Sequence, residues 1–206
     1  MGYFNVWRTP LDIPDSFVVF HGTSDIYQSS FEQKGILPPP KMKKVRDFGS
    51  GFYTTTEEKQ ARRYAARMAE LLGGRPLLVT CTVSGTRLKE ISPAKILPDY
   101  NREWLDILKQ GRWSGEPLEF QWIFGRCGDG LTERVEEVRR TGDDEALLAT
   151  ITPKRGTRTY EHDQFWFGTA EAGTMSITVG SLRTVRIPAT SSGDSDRDCE
   201  SHSSRV

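Results

Sequence analysis

Short apolar runs, separated by polar and glycine-rich segments, recur along the chain and predict strands. The first is the continuous run FVVF at residues 17–20, which is typical of a buried strand. Similar runs of short length recur as far as residue 187, and their length is that of strands rather than of helices. The predicted strands lie at residues 17–20, 77–83, 120–124, 164–167, 176–179 and 183–187.

Helical spacing of apolar residues predicts three helices between these strands. The longest is expected from Thr55 to about Leu72, because Thr55 and Glu58 form a capping-box signature and two glycines follow Leu72. Shorter helices are predicted at residues 101–109 and 131–140. The apolar stripe of the longest helix consists of Ala61, Tyr64, Ala65, Met68 and Leu72.

The order of these elements favours an α+β fold. Early and late strands flank short helices, and no regular alternation of strand and helix is present. Residues 1–188 are predicted to form one domain, and a chain of 206 residues can bury a sizeable core. Residues 189–206 are rich in Ser and Asp and poor in apolar residues, so a disordered tail is predicted there.

Charge and cysteine content narrow the class of protein. Lys and Arg number 28, and Asp and Glu also number 28, so no global field attracts nucleic acid or a membrane. Three cysteines without paired spacing, together with three histidines, argue against a disulfide framework and against a metal site. Neither a signal peptide nor an apolar run of transmembrane length is present. We therefore expect a cytoplasmic protein without a membrane partner.

Two motifs carry candidate chemistry: residues 21–23, His-Gly-Thr, and residues 49–53, Gly-Ser-Gly-Phe-Tyr. Alone, a histidine at a strand end is more often structural, and a Gly-x-Gly segment is usually a turn. The second motif is no dinucleotide fingerprint, because no buried strand precedes it and Thr54 replaces the third glycine. Together, the imidazole and the tyrosine could hold a flat, polar heteroaromatic ring.

The two motifs in this order resemble the ADP-ribosyltransferase superfamily, on the branch shared by diphtheria toxin and the poly(ADP-ribose) polymerases. The chain is more closely similar to a family of short, mostly bacterial domains within that superfamily. The resemblance runs in order from about Phe17 to about Ile187. Its remaining segments are residues 48–65, 122–130 and 163–169.

The resemblance implies a split, mixed β-sheet with a central NAD-binding cleft and short flanking helices. NAD would be the substrate, without a metal. His21 would bind a ribose hydroxyl, and the backbone of Gly22 would pair with the nicotinamide amide. Tyr53 would stack on the nicotinamide ring, and Tyr64 would close its other face. The other nucleotide-binding candidates are Thr23, Gly49, Gly51 and Thr54.

Two of these positions have alternatives. Tyr64 also fits the core stripe of its helix. The polymerases carry a hydroxyl residue where this chain has Ala61, so one contact to the carboxamide is missing or comes from Thr54 or Thr55.

Gln164 is the third catalytic candidate, because it stands where the transferases of this superfamily usually carry glutamate. A glutamine can orient a ribose hydroxyl, but it supplies neither full negative charge nor a base. Glu161 lies just upstream, where a solvated loop carboxylate is expected, and Asp163 should point away from Gln164 along an extended strand.

Three functions remain open at this point. The first is a mono-ADP-ribosyltransferase, or an NAD glycohydrolase, that cleaves the nicotinamide–ribose bond and uses His21, Tyr53 and Gln164. The second is a binding module for NAD or ADP-ribose with weak or no catalysis. The third is a transferase acting on nucleic acid through the basic segment 38–46. The balanced charge favours a protein acceptor over nucleic acid.

Overall fold

A computed structural model describes residues 7–36, 46–114, 117–128, 132–151 and 162–185. The tail after residue 188, Glu161 and most of the basic segment lie outside these residues. The described strands are β1 Ser16–Ser24, β2 Phe52–Thr54, β3 Pro76–Ser84, β4 Ala94–Leu97, β5 Trp122–Arg126, β6 Asp163–Phe167 and β7 Ile177–Thr184. The described α-helices are α1 Gln28–Lys34, α2 Glu58–Leu72, α3 Gly85–Glu90, α4 Arg102–Lys109, α5 Thr132–Thr141, α6 Asp144–Ile151 and α7 Ala170–Ser176.

The strands form two sheets that meet at one residue pair. One sheet has the order β1-β3-β7 and is antiparallel. The other has the order β2-β6-β5-β4, in which β4 and β5 are parallel and the other pairs antiparallel. An isolated bridge between Phe20 and Thr55 joins the sheets, with N–O distances of 2.8 and 2.9 Å. The next residue of β1 is His21, so this histidine lies where the two sheets part.

The first core fills the space between the sheets. Because side chains alternate along a strand, Val19 and Cys81 of one sheet face Phe52 and Phe165 of the other. The aromatic rings are in contact, with 4.6 Å between the ring centroids of Phe124 and Phe165. Each such fully buried side chain contributes roughly 1.5–3 kcal/mol of hydrophobic stabilisation.

A second core covers the opposite face of the four-stranded sheet. Ile123 and Trp166 point to this side and pack among residues of α4, α5 and α6, including Trp104, Val135 and Leu147. Phe165 and Trp166 are neighbours on one strand and therefore belong to different cores. This sheet thus has a buried face on each side, and that separates the side chains of the predicted site.

Helix α2 packs on the three-stranded sheet through its small residues. Ala61 and Ala65 are buried as predicted, and Ala69 is also buried. Tyr64 and Met68 are half-buried and Leu72 is 38% exposed, so the predicted stripe is wrong at its C-terminal end. The close approach depends on Gly22, because a Cβ there would lie 2.0 Å from the Ala61 carbonyl oxygen. The backbone of Ala61 therefore packs directly against Gly22.

The predicted strands at residues 17–20, 77–83, 120–124 and 164–167 are confirmed, with small shifts at their ends. The three predicted helices are also confirmed as α2, α4 and α5, so the α+β class holds. The two strands predicted after residue 175 are wrong in part, because residues 177–184 form the single strand β7 and Ser176 ends α7. Elements without a prediction are α1, β2, α3, β4, α6 and α7.

The predicted capping box of α2 is wrong. The helix begins at Glu58 and has no side-chain cap from its N-cap residue. Thr55 instead accepts a hydrogen bond from the Glu57 amide at 3.0 Å and donates to the Asp163 carboxylate at 2.9 Å. A contact with a strand 108 residues away thus replaces the local cap. Among the described helices, none is both long and apolar enough to cross a membrane.

Candidate functional site

His21 is held in one tautomer at the point where the sheets part. Its Nδ1 lies 2.7 Å from the carbonyl oxygen of Tyr53. Because a carbonyl only accepts, Nδ1 carries the hydrogen and Nε2 is left as an acceptor. Burial lowers the pKa of His21 to about 4; the charge of Arg46 acts in the same direction, and the hydrogen bond to Tyr53 opposes it. The imidazole is therefore neutral at pH 7.

Aromatic side chains line one side of this imidazole. The ring of Phe52 lies 4.6 Å from the His21 ring, and that of Phe31 lies 5.7 Å away. The histidine itself is half-buried rather than enclosed. The site therefore offers a neutral acceptor atom next to apolar surface.

The phenol of Tyr53 is tied to the glycine-rich turn. Its hydroxyl donates to the Gly49 carbonyl at 2.7 Å and accepts from the Phe48 amide at 3.0 Å. Burial raises the pKa of Tyr53 well above its ordinary value, and the nearby Asp47 raises it further. The guanidinium of Arg46 lies 5.3 Å from the centre of the tyrosine ring. The ring is thus fixed in position and carries a cation over it.

Two glycines of the turn have distinct structural reasons. Gly49 has a φ of 75°, which is the left-handed region that favours glycine. Gly51 allows a close approach, because a Cβ there would lie 2.1 Å from Nε1 of Trp166. That indole nitrogen donates to the Ser50 carbonyl at 3.2 Å. Gly51 therefore allows the turn to pack against β6, and Gly49 allows the backbone conformation of the turn.

Gln164 is committed to a buried hydrogen-bond network. Its Nε2 donates to Oδ2 of Asp47 at 2.8 Å and to the Arg126 carbonyl at 3.2 Å. The side chain is 6% exposed. An amide, unlike a carboxylate, can donate to Asp47, and this gives a physical reason for glutamine at this position.

Asp47 is the centre of this network, and sequence reasoning missed it. Its Oδ1 accepts from Nε of Arg112 at 3.0 Å and from Nη2 of the same side chain. Its Oδ2 accepts from the Gly128 amide at 2.5 Å and from Gln164. Both charged side chains are 6% exposed, so the ion pair is buried.

Glycines make room for this carboxylate. A Cβ at Gly128 would lie 2.9 Å from both carboxylate oxygens of Asp47. A Cβ at Gly111 would lie 2.5 Å from the Asp47 carbonyl oxygen. The sequence signal for the network was an aspartate two residues before Gly49, the first glycine of the turn. Its partners lie 65 to 117 residues away along the chain.

The threonines after Tyr53 differ in their partners. Thr55 donates to Asp163, and Thr56 donates to the same carboxylate through its hydroxyl and through its amide at 2.9 Å. The hydroxyl of Thr54 is buried and has no hydrogen-bond partner among the described residues. Of the two threonines considered for the carboxamide contact, Thr54 is therefore the one whose hydroxyl is available.

The predicted site residues fall into two groups. His21 contacts Phe52, whose side chain faces the first core, and it binds the backbone of Tyr53. Gln164 has the same strand parity as Trp166, which pairs with Tyr53 and faces the second core. Within the described segments, His21 and Gln164 share no hydrogen-bond partner.

The other predicted site residues, Gly22, Thr23 and Tyr64, lie on β1 and α2. Gly22 faces α2, and Thr23 is buried in β1 next to it. Tyr64 is half-buried on α2. Among the described residues, no group of three or more His, Cys, Asp or Glu side chains could hold a metal ion.

Comparison with known proteins identifies a family whose function is unknown. A family model described as "Protein of unknown function (DUF3990)" matches residues 17–172. A search of curated proteins finds no match. The matched span covers β1 to α7 and includes His21, Tyr53, Asp47 and Gln164.

Proposed function

The chain belongs to the DUF3990 family, and we propose that it binds NAD, or the ADP-ribose part of NAD, where its two sheets part. The observation that carries the proposal is the state of His21. The ring is neutral, its Nδ1 is fixed by the Tyr53 carbonyl, and its Nε2 can accept a hydrogen bond. A ribose hydroxyl is a donor that matches this atom.

The hydroxyl of Thr54 lies on the side of the ligand that would face His21. It is on the same face of β2 as Phe52, which contacts His21, whereas the ring of Tyr53 points to the other face. A buried hydroxyl without a partner costs free energy, which a hydrogen bond from the ribose side of the ligand would recover. A carboxamide stacked on Tyr53 would lie out of reach of this hydroxyl.

The ring of Tyr53 supplies the stacking surface. Two hydrogen bonds to the glycine-rich turn fix its phenol before any ligand arrives. A platform that is already rigid loses little conformational entropy on binding. Stacking on such a ring contributes about 1–3 kcal/mol per base in other complexes.

Gln164 favours binding over cleavage. The amide has no charge to stabilise a developing ribose cation, and its Nε2 already donates to Asp47 and Arg126. The proposed function is therefore a nucleotide-binding domain with an ADP-ribosyltransferase-like arrangement of strands.

Cleavage of the nicotinamide–ribose bond is the second candidate, and Asp47 favours it. This carboxylate lies 2.8 Å from the Gln164 amide, so negative charge is present next to the position of the missing glutamate. Arg112 offsets that charge, because the two side chains form a buried ion pair. A transferase would have to use Asp47 through Gln164, and the products would be nicotinamide and an ADP-ribosylated acceptor or free ADP-ribose.

Titration calorimetry separates these candidates when it is combined with chromatography. We expect saturable binding of NAD by the wild type, and a loss of about 10-fold or more in His21→Ala and in Tyr53→Ala. Tyr27→Ala is the matched control, because Tyr27 is 44% exposed and lies outside the site. Folded wild-type protein that gives no binding heat with NAD or with ADP-ribose would refute the proposal. Release of nicotinamide, followed by chromatography, would establish the second candidate.

A further inference from the structure

We propose that Arg46 binds the pyrophosphate of a nucleoside diphosphate ligand held between His21 and Tyr53. This inference rests on the proposed function, because it assigns the anionic part of the same ligand. The carbonyl of Arg46 accepts from the Gly49 amide at 3.0 Å, but among the described residues its side chain forms no hydrogen bond or ion pair.

The position of the guanidinium is the first support. It lies 5.3 Å from the centre of the Tyr53 ring, and Arg46 is half-buried. Its charge also disfavours protonation of His21, so the two side chains are close in space. Arg46 thus stands beside both groups that would hold the nicotinamide riboside.

The second support is the absence of a carboxylate partner within the described segments. Arg46 forms no salt bridge there, although Asp47 is its neighbour in sequence. Both oxygens of Asp47 are already occupied, because they accept from Arg112, Gly128 and Gln164. The ion pair of Asp47 with Arg112 leaves no net negative charge to neutralise Arg46.

Asp163, the buried carboxylate at the start of β6, likewise accepts hydrogen bonds from the hydroxyls of Thr55 and Thr56 and from the Thr56 amide. Neither of these carboxylates forms an ion pair with the guanidinium of Arg46 within the described segments. A half-buried guanidinium without a counter-ion is completed by an anion from outside.

The chemistry of the arginine selects a phosphate group. Its planar fork of N–H donors matches two phosphate oxygens at once, which a single ammonium group cannot do. One ribose separates the nicotinamide from the pyrophosphate in NAD, so a cation next to His21 and Tyr53 is within reach of that group. Because the imidazole of His21 is neutral, it cannot offset the negative charge of the phosphates, and Arg46 would do so.

The same assignment gives Arg46 a second consequence. Its guanidinium now lies over the ring of Tyr53, where it makes a cation–π contact. A stacked nicotinamide would compete for this ring face. Movement of the guanidinium to the pyrophosphate would therefore uncover the ring when the ligand binds.

The test compares ligands with and without phosphate. Titration calorimetry uses ADP-ribose, inorganic pyrophosphate and nicotinamide with the wild type, Arg46→Ala and Arg46→Lys. Arg63→Ala is the matched control, because Arg63 is exposed on α2. We expect Arg46→Ala to weaken ADP-ribose binding about 10- to 100-fold, since a hydrogen bond to a charged group is lost. Arg46→Lys should restore part of the affinity, and nicotinamide affinity should not fall.

The outcomes separate the two proposals. Equal affinity of wild type and folded Arg46→Ala for ADP-ribose would overturn this inference and leave the proposed function intact. A wild type that binds pyrophosphate through Arg46 but binds neither NAD nor ADP-ribose would overturn the proposed function and retain an anion site. A wild type that binds none of the phosphate ligands would overturn both. Thermal melting of each variant shows whether the protein remains folded.

Discussion

The Asp47 network and the surroundings of His21 differ in how completely their polar atoms are paired. In the network, each oxygen of Asp47 accepts two hydrogen bonds, and Gln164 and Arg112 are buried against it. Around His21, the Nε2 atom, the Thr54 hydroxyl and the Arg46 guanidinium lack such partners among the described residues. The pairing in the first region serves stability, and the second region has polar atoms left for the ligand that we propose.

The same comparison also changes how the presence of a glutamine at position 164 in β6 is explained. By resemblance, Gln164 reads as a substitution for a catalytic glutamate. In the structure, it is the donor that a buried aspartate requires. The same residue can thus be explained by structure alone, whereas the Nε2 acceptor of His21 has no hydrogen-bond partner within the described part of the chain.

The largest expected effect is on the paired region. Asp47→Ala should lower the free energy of unfolding by about 3–5 kcal/mol, because it leaves the buried charge of Arg112 uncompensated. Urea denaturation measures this loss. The control is Asp99→Ala, which removes an exposed ion pair with Arg8 and should cost less than about 1 kcal/mol. Equal losses in the two variants would remove the basis for the comparison.

Gln164→Glu tests whether the amide is chosen for Asp47. The variant should lose about 2 kcal/mol at pH 7, because two carboxylates then share one buried site. Part of the loss should return at pH 5, where one of the pair holds a proton. Denaturation at both pH values checks this, with the exposed Gln33→Glu as control. A variant as stable as the wild type at pH 7 would refute the structural reason for glutamine.

His21 should make stability depend on pH. Its pKa is about 4 in the folded protein, below the ordinary value of 6.5, so the unfolded chain takes up the proton first as pH falls. The contribution is complete above pH 6.5 and is lost between pH 6.5 and 4. We expect a loss of about 3 kcal/mol across this window relative to His21→Gln. Parallel stability curves for the two proteins would show that the histidine is not held neutral.

The smallest expected effect concerns Thr54. Thr54→Val removes a buried hydroxyl without a partner, so stability should stay within about 1 kcal/mol of the wild type or rise. Affinity for nicotinamide alone should stay unchanged, because Thr54 lies on the face of β2 opposite the Tyr53 ring, whereas affinity for ADP-ribose should fall. Thermal melting and calorimetry of one preparation measure both quantities. A large loss of stability would mean that the hydroxyl serves the fold.

The sequence predicted elements whose signal is local. The run at residues 17–20 lies within β1. The helical periodicity of apolar residues predicted α2 and its end at Leu72, although the helix starts later than predicted. Strand β2 was missed because it has three residues, too few for a pattern. The cap of α2 was wrong because Asp163 recruits Thr55 from 108 residues away, and a long-range contact outweighed the local one.

The site divides in the same way. His21 and Tyr53 lie in two motifs, each of them short and contiguous, so both motifs could be recognised from the sequence. The network of Asp47, Arg112 and Gln164 joins three separate segments, and no spacing rule connects them. The structural role of Gln164 could not be predicted from the sequence of its own strand, because its partner Asp47 lies 117 residues earlier.

A crystal structure of the protein with NAD tests the central claim most directly. The account predicts Nε2 of His21 within about 2.7–3.2 Å of a ribose hydroxyl. It also predicts that Gln164 still donates to Asp47, as in the free protein. A nucleotide bound away from His21, or a Gln164 that has left Asp47 to contact the ribose, would contradict the division of the molecule into a paired region and a binding region.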